Sequence, residues 1–177
     1  MEGYSILATK SHIPSMLDMS SAAIPSYEAI KQEMRSRIRR VYQKPCIITE
    51  HGRVPACNFY DSAVNEAHCY HAHQLVFPGD FDLRPILMKP VFQAEQHDSF
   101  LHAHLAGVHG EYLYYEDTQG RVTIAVARPR LPRQFFRMQV ADMMGRPEYA
   151  NWRGRPGDEH LLRNTAHRLR EVDYEHP

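Results

Sequence analysis

The longest run of regular hydrophobic spacing spans Tyr27 to Gln43, where Tyr27, Ile30, Met34, Ile38, Val41 and Tyr42 recur three and four residues apart. That spacing predicts a helix with one apolar face, which has to be buried against another element. Ser26 is placed to cap its N-terminus and Glu28 suits its first turn, while Arg39, Arg40 and Lys44 suit the negative end of the helix dipole. Pro45 stops it. Short strand-like runs occur at Gly3–Thr9, Cys46–Glu50 and His68–Phe77, and a hairpin is predicted from Tyr112–Glu116 and Val122–Ala127 about the turn Asp117–Gly120. Two more helices follow. One runs from Leu131 to Met144, bracketed by Pro132 and Gly145. The other runs from Asp158 to Val172 with Leu162, Thr165, Leu169 and Val172 on one face. Between Asp80 and Gly110 the pattern is ambiguous, broken by Pro85 and Pro90, with a short helix near Ser99–Ala106. With no internal repeat or linker, the 177 residues read as a single α+β domain.

Composition narrows the function classes. Hydrophobic residues make 43% of the chain and charged residues 24%, ordinary for a globular domain. Lys and Arg number 21 and Asp and Glu 21, so the charge sum is zero. A protein that gains its affinity by neutralising many phosphates carries a basic excess, so no specific nucleic-acid partner is expected. No apolar run approaches the ~20 residues that cross a bilayer, so no membrane association is expected. The start, Met-Glu-Gly-Tyr-Ser, lacks a signal-peptide pattern. Cys46, Cys57 and Cys69 are too few and too odd in number for a disulfide framework, which points to a reduced, cytoplasmic protein. The arginines at 35, 37, 39 and 40 are interspersed with Glu28 and Glu33 and read as a solvated helix face.

The unusual number is 12 histidines. Histidine is both the commonest general base at neutral pH and the commonest metal ligand. The informative segment is His68-Cys69-Tyr70-His71-Ala72-His73-Gln74-Leu75-Val76-Phe77-Pro78. On a strand, side chains alternate between faces, so Cys69, His71, His73 and Leu75 share one side and Gln74 points to the other. Two imidazoles two residues apart are neighbours there, and one can attack or bind while the other holds the same substrate. Two alternatives stand beside this. Histidine pairs also occur on strands without chemistry, and Cys69, His71 and His73 are compatible ligands for a metal ion if a fourth, Cys57 or His68, folds over. The second pair, His102 and His104, lies in the helix-like stretch, where residues two apart diverge by roughly 200° and do not act together.

The run His71-Ala72-His73-Gln74-Leu75-Val76-Phe77-Pro78 resembles the histidine-triad (HIT) motif, His-φ-His-φ-His-φ-φ closing a strand before Pro. The likeness extends outward in order. Gly3 to Ile13 resembles the family's strand and its Lys-x-His-Ile turn, here Lys10-Ser11-His12-Ile13. The helix at Tyr27–Gln43 is the one expected next, and Cys46-Ile47-Ile48-Thr49-Glu50-His51-Gly52 resembles the Phe-Glu-His-Gly strand of a bacterial HIT-like branch. Leu131–Arg137, Gly145–Glu148 and Trp152-Arg153 resemble that branch's ending. The resemblance implies one HIT-like domain over 1–177: an antiparallel sheet with the amphipathic helix packed on it, and a C-terminal helical part at about 131–177.

It also implies a chemistry. In the family the middle histidine attacks the α-phosphate of a nucleotide, and water or an acceptor resolves the nucleotidyl-histidine. By correspondence His73 is the nucleophile, His71 its supporting histidine, and Lys10 and His12 bind the substrate. The partner implied is a nucleotide or nucleotide conjugate, the activity a hydrolase or nucleotidyltransferase, and no cofactor is needed. HIT relatives often form homodimers. Two positions depart from the pattern. The third triad histidine is Leu75, which cannot move a proton, so catalysis is weaker or differently specialised unless His12, His51 or His68 compensates; a non-catalytic HIT-like nucleotide-binding or interaction module is the alternative. The hairpin that usually precedes the Gly-Tyr strand is not present before Gly3, which leaves an edge open to association.

Overall fold

The computed structural model describes residues 1–54, 71–127, 131–132, 134–150 and 159–171. Six strands form one antiparallel sheet: β1 (Ser5–Ala8), β2 (Cys46–Gly52), β3 (His73–Pro78), β4 (Phe92–His97), β5 (Tyr112–Glu116) and β6 (Val122–Ala127). Their spatial order is β1-β3-β2-β5-β6-β4, so among the described residues β1 and β4 are the outermost strands. The helices are α1 (Ile24–Tyr42), α2 (Arg84–Leu87), α3 (Phe100–Ala106), α4 (Phe135–Met143) and α5 (Glu159–Glu171). The α+β class expected from the sequence is the class of the fold.

Each face of the sheet has its own core. On the inner face, Leu7, Ile48, Val76, Tyr112, Tyr114 and Ile124 pack with Tyr27 and Ile38 of α1 and with Phe100 and Ala103 of α3. On the outer face, Ile47, Phe77, Leu113, Tyr115 and Ala125 pack with Leu83 and Leu87 and with Phe135, Phe136 and Val140 of α4. The alternation of β2, β3 and β5 between these cores is the period-two pattern of strands buried on both sides.

The inner core is crossed by a polar network. Lys31, although on the buried stripe of α1, donates to Glu116 at 2.9 Å, lies 2.5 Å from Glu28, and sits over the rings of Phe100 and Tyr27. Arg35 reaches the other Glu116 oxygen at 2.9 Å and the carbonyls of Cys46 and Asp117. This corrects the reading of the helix arginines as a solvated face, because Arg35 joins Lys31 in a buried ion pair with Glu116. The Tyr114 hydroxyl also donates to Glu116, and that of Tyr27 to Gln74. Burial raises the pKa of both tyrosines well above the ordinary range, so they remain hydroxyl donors.

Several boundaries differ from expectation for local reasons. Helix α1 begins at Ile24 with Ala23 before it, so Ser26 lies inside the helix and does not cap it; Pro25, with its φ preset for a helix, occupies the first turn. Helix α4 begins at Phe135, after Pro132, because Gln134 is left-handed (φ 63°) and breaks the entry. The ambiguous stretch resolves into α2, β4 and α3, the last capped by the Ser99 side chain accepting from the His102 N–H. The paired part of β3 begins at His73, with His71 in a single bridge to Ile13. In α5, Thr165 is buried, where its hydroxyl accepts from the Gly3 N–H, while Leu162 is exposed.

Candidate functional site

The strands β2 and β3 pair from Cys46↔Pro78 to Thr49↔Leu75. Beyond that point the chain at Ile13–Pro14 enters between their ends: the Ala72 N–H donates to the Ile13 carbonyl at 3.1 Å and the Arg53 N–H to the Pro14 carbonyl at 3.2 Å. The sheet is therefore splayed at the end of β3 that carries the histidines.

His71 and His73 stand at this opening, both exposed. By alternation they share the outer face with Leu75 and Phe77, while Ala72, Gln74 and Val76 point into the inner core. Each imidazole is fixed by a backbone carbonyl. His71 Nδ1 lies 2.9 Å from the Thr9 carbonyl, and His73 Nδ1 lies 3.1 Å from the His71 carbonyl. A carbonyl only accepts, so Nδ1 carries the proton in both rings and Nε2 is left with its lone pair when the ring is neutral. His12 lies against His71, ring centroids 4.2 Å apart and tilted by 42°. The Thr9 hydroxyl bonds to the Ser11 carbonyl at 2.7 Å, which shapes the turn that holds His12 in place. Lys10 is exposed in the same turn.

The predicted site residues thus divide. His71, His73, His12 and the turn with Lys10 come together at one end of the β1–β3 pair. Cys69, Cys57 and His68 lie outside the described residues. Among the described residues no group of three or more histidine, cysteine or acidic side chains is arranged to hold a metal ion. Cys46 is a buried free thiol, its pKa pushed up by burial to about 11, and takes no part. Gln74 is held on the inner face by Tyr27, so it does not stand in for the third histidine; β3 runs on from it without a bulge, against β1 and β2. Leu75, at that third position, is half-buried against the outer core. His102 and His104 diverge on α3, His104 donating to the Leu17 carbonyl at 3.1 Å. Arg137 stacks on Tyr4 and donates to the Tyr149 carbonyl.

Two arrangements had no local signal in the sequence. Across the splay from His73, on the outer face of β2, His51 Nε2 lies 2.5 Å from Glu111 Oε1, both side chains half-buried. Sixty residues separate the two, and only the β2–β5 register (His51↔Leu113, Gly52↔Tyr112) brings them together. On the inner face, Glu50 is fully enclosed. It accepts from the Met16 N–H at 2.7 Å and the Tyr112 hydroxyl at 3.2 Å. A Cβ at Gly52 would overlap the Tyr112 ring, so glycine there lets the phenol reach Glu50. Burial raises the Glu50 pKa from 4.5 to about 7, opposed by the bonds from the Met16 N–H and the Tyr112 hydroxyl.

No family model matches the chain, and no curated protein matches it.

Proposed function

We propose that the chain is a HIT-like nucleotide hydrolase or nucleotidyltransferase in which His73 attacks an α-phosphate. The observation that carries this reading is the pinning of both imidazoles by carbonyl acceptors at Nδ1, which leaves the two Nε2 atoms available on one exposed sheet face. A neutral imidazole with a defined lone pair is a competent nucleophile near pH 7. As His73 Nε2 bonds to phosphorus its ring becomes positive, and the His71 carbonyl on Nδ1–H favours that charge. In its protonated form His71, with His12 against it, donates Nε2–H to a non-bridging oxygen, and Lys10 extends the positive character of the turn. Water or an acceptor then displaces the histidine, so one difficult displacement becomes two easier ones. No step calls for a cofactor.

Turnover of dinucleoside polyphosphates, nucleoside phosphoramidates and nucleotide sugars by the wild type and by His73→Ala tests the reading. Cleavage of one class that vanishes in a folded His73→Ala protein is expected. Full cleavage by that variant, or none by a well-folded wild type, contradicts it.

A second reading, a nucleotide-binding module without turnover, is favoured by one observation, the packing of Leu75 into the outer core where a third histidine would stand. Its mark is a nucleotide that raises Tm without being consumed, by about 2.7 kcal/mol of stabilisation at a hundredfold excess over Kd. The protein is placed in the cytoplasm on its cysteine usage; among the described residues no helix is long and apolar enough to cross a membrane. We also propose a homodimer through β1, which among the described residues pairs only with β3 and whose Ile6 is exposed. A monomer by light scattering at micromolar concentration removes that proposal.

A further inference from the structure

We infer that His51, oriented by Glu111, is the group that gives the leaving group its proton, the role that Leu75 leaves vacant. The inference rests on the nucleotidyl-histidine reading above and names a residue that reading does not assign.

An in-line displacement at phosphorus puts nucleophile and leaving group on opposite sides of the atom. With reacting atoms ~3 Å apart and a donor within ~3 Å of the departing atom, nucleophile and acid nitrogens stand roughly 7 Å apart. The acid therefore belongs across a gap from His73. The strand register puts His51 on the far side of that opening. It is on the outer face of β2, two residues beyond Thr49, as His73 is two residues before Leu75 on β3, and Thr49 and Leu75 are the last pair before the strands part. His12 does not meet the requirement, because its ring lies against His71 on the nucleophile's side of the opening.

The imidazole of His51 is prepared for proton transfer. Its Nε2 is held 2.5 Å from the Glu111 carboxylate, which accepts the Nε2 proton and fixes the ring. Among the described residues its Nδ1 makes no hydrogen bond, so Nδ1 is the exchanging nitrogen. A carboxylate on one imidazole nitrogen orients the ring. Glu111 is thus a positioning residue and His51 a catalytic one.

The steps balance. In the first, the His73 Nε2 lone pair forms the N–P bond. The bond from phosphorus to the leaving atom breaks with its electron pair, and that atom takes the proton from His51 Nδ1. In the second, neutral His51 Nδ1 takes a proton from water as the water oxygen bonds to phosphorus. The N–P bond then breaks, its pair returns to His73, and a nucleoside monophosphate leaves. The sum is hydrolysis, with every proton accounted for.

The test compares two substrates on the full-length protein: an alkylamine phosphoramidate of a nucleoside monophosphate, whose amine leaves only when protonated, and the p-nitrophenyl ester of the same nucleotide, whose phenolate leaves without a proton. His51→Asn is expected to lower kcat on the phosphoramidate by roughly 10²-fold or more while changing the ester by less than about threefold. Glu111→Gln is expected to show the same split with a smaller loss. His51→Gln is the second variant if the first does not fold. Equal losses on both substrates, or no loss on either, in a folded variant would overturn the inference while leaving the proposed chemistry standing, provided His73→Ala still abolishes both. A wild type that cleaves neither substrate overturns the chemistry and the inference with it.

Discussion

The two faces of β2 and β3 carry polar side chains in opposite circumstances. On the inner face Gln74, Glu50, Lys31 and Glu116 are all but excluded from water, and each is bonded to another group of the same core. On the outer face His71 and His73 are exposed, and each spends one ring nitrogen on the backbone and leaves the other. Residue type does not separate the two clusters, since both contain groups that serve as acids, bases or ligands elsewhere. Access does. A buried polar group with its bonds made is a structural commitment, costly to disturb and unable to reach a substrate. A half-bonded group at a surface opening is available for chemistry.

Substitutions on the two faces should therefore separate activity from stability, and the largest effect belongs to the outer one. His73→Ala should lower turnover by on the order of 10³-fold or more with Tm unchanged, measured by steady-state cleavage beside thermal melting. The inner counterpart is Lys31→Ala, which leaves Glu116 with Arg35 but without its buried ammonium. It should cost about 3–5 kcal/mol in urea unfolding and leave kcat per folded molecule unaltered. If Lys31→Ala instead lowered kcat at full stability, the division between the faces would fail.

Glu50 sharpens the comparison through pH. Below about pH 4.5 its carboxyl is protonated in both the folded and the unfolded chain, and its contribution to stability is complete. Between 4.5 and about 7 the unfolded chain gives up the proton while the folded one retains it, so stability falls as pH rises. The loss is on the order of 3 kcal/mol and is finished above pH 7. Unfolding of Glu50→Gln across pH 5 to 8 should lack this component, and identical pH profiles for the variant and the wild type would contradict it.

Smaller effects follow. Gln74→Leu removes the acceptor of the Tyr27 hydroxyl and should cost about 1–3 kcal/mol in unfolding free energy without altering kcat. His102→Ala should alter neither quantity beyond about 0.5 kcal/mol, since its side chain is exposed on α3 and its nearest carboxylate, on Asp98, is 3.7 Å away.

What could be read in the sequence was what is encoded locally. The spacing in α1, the β-branched run of β2 and the hairpin of β5 and β6 are each decided within fewer than twenty residues. So was the side of β3 to which Gln74 turns, because alternation alone puts it opposite His73. The stretch that resolves into α2 and β4 resisted because two prolines interrupt it and β4 is defined by pairing with β6, some thirty residues on. The site divided in the same way. The His71–His73 pair was legible on one strand. The His51–Glu111 pair was not, since sixty residues and a strand register stand between them. Arg35 was misjudged because helix periodicity says which side a residue occupies, not that a carboxylate on a neighbouring strand will draw a long side chain inward.

The most direct test of the central claim is intact-mass and peptide mapping of the wild type mixed with a nucleotide substrate and quenched in alkaline denaturant, where N–P bonds survive. The account predicts a nucleotidyl adduct on His73, absent from His73→Ala. Turnover with no adduct at any quench time, or an adduct on another residue, would contradict it.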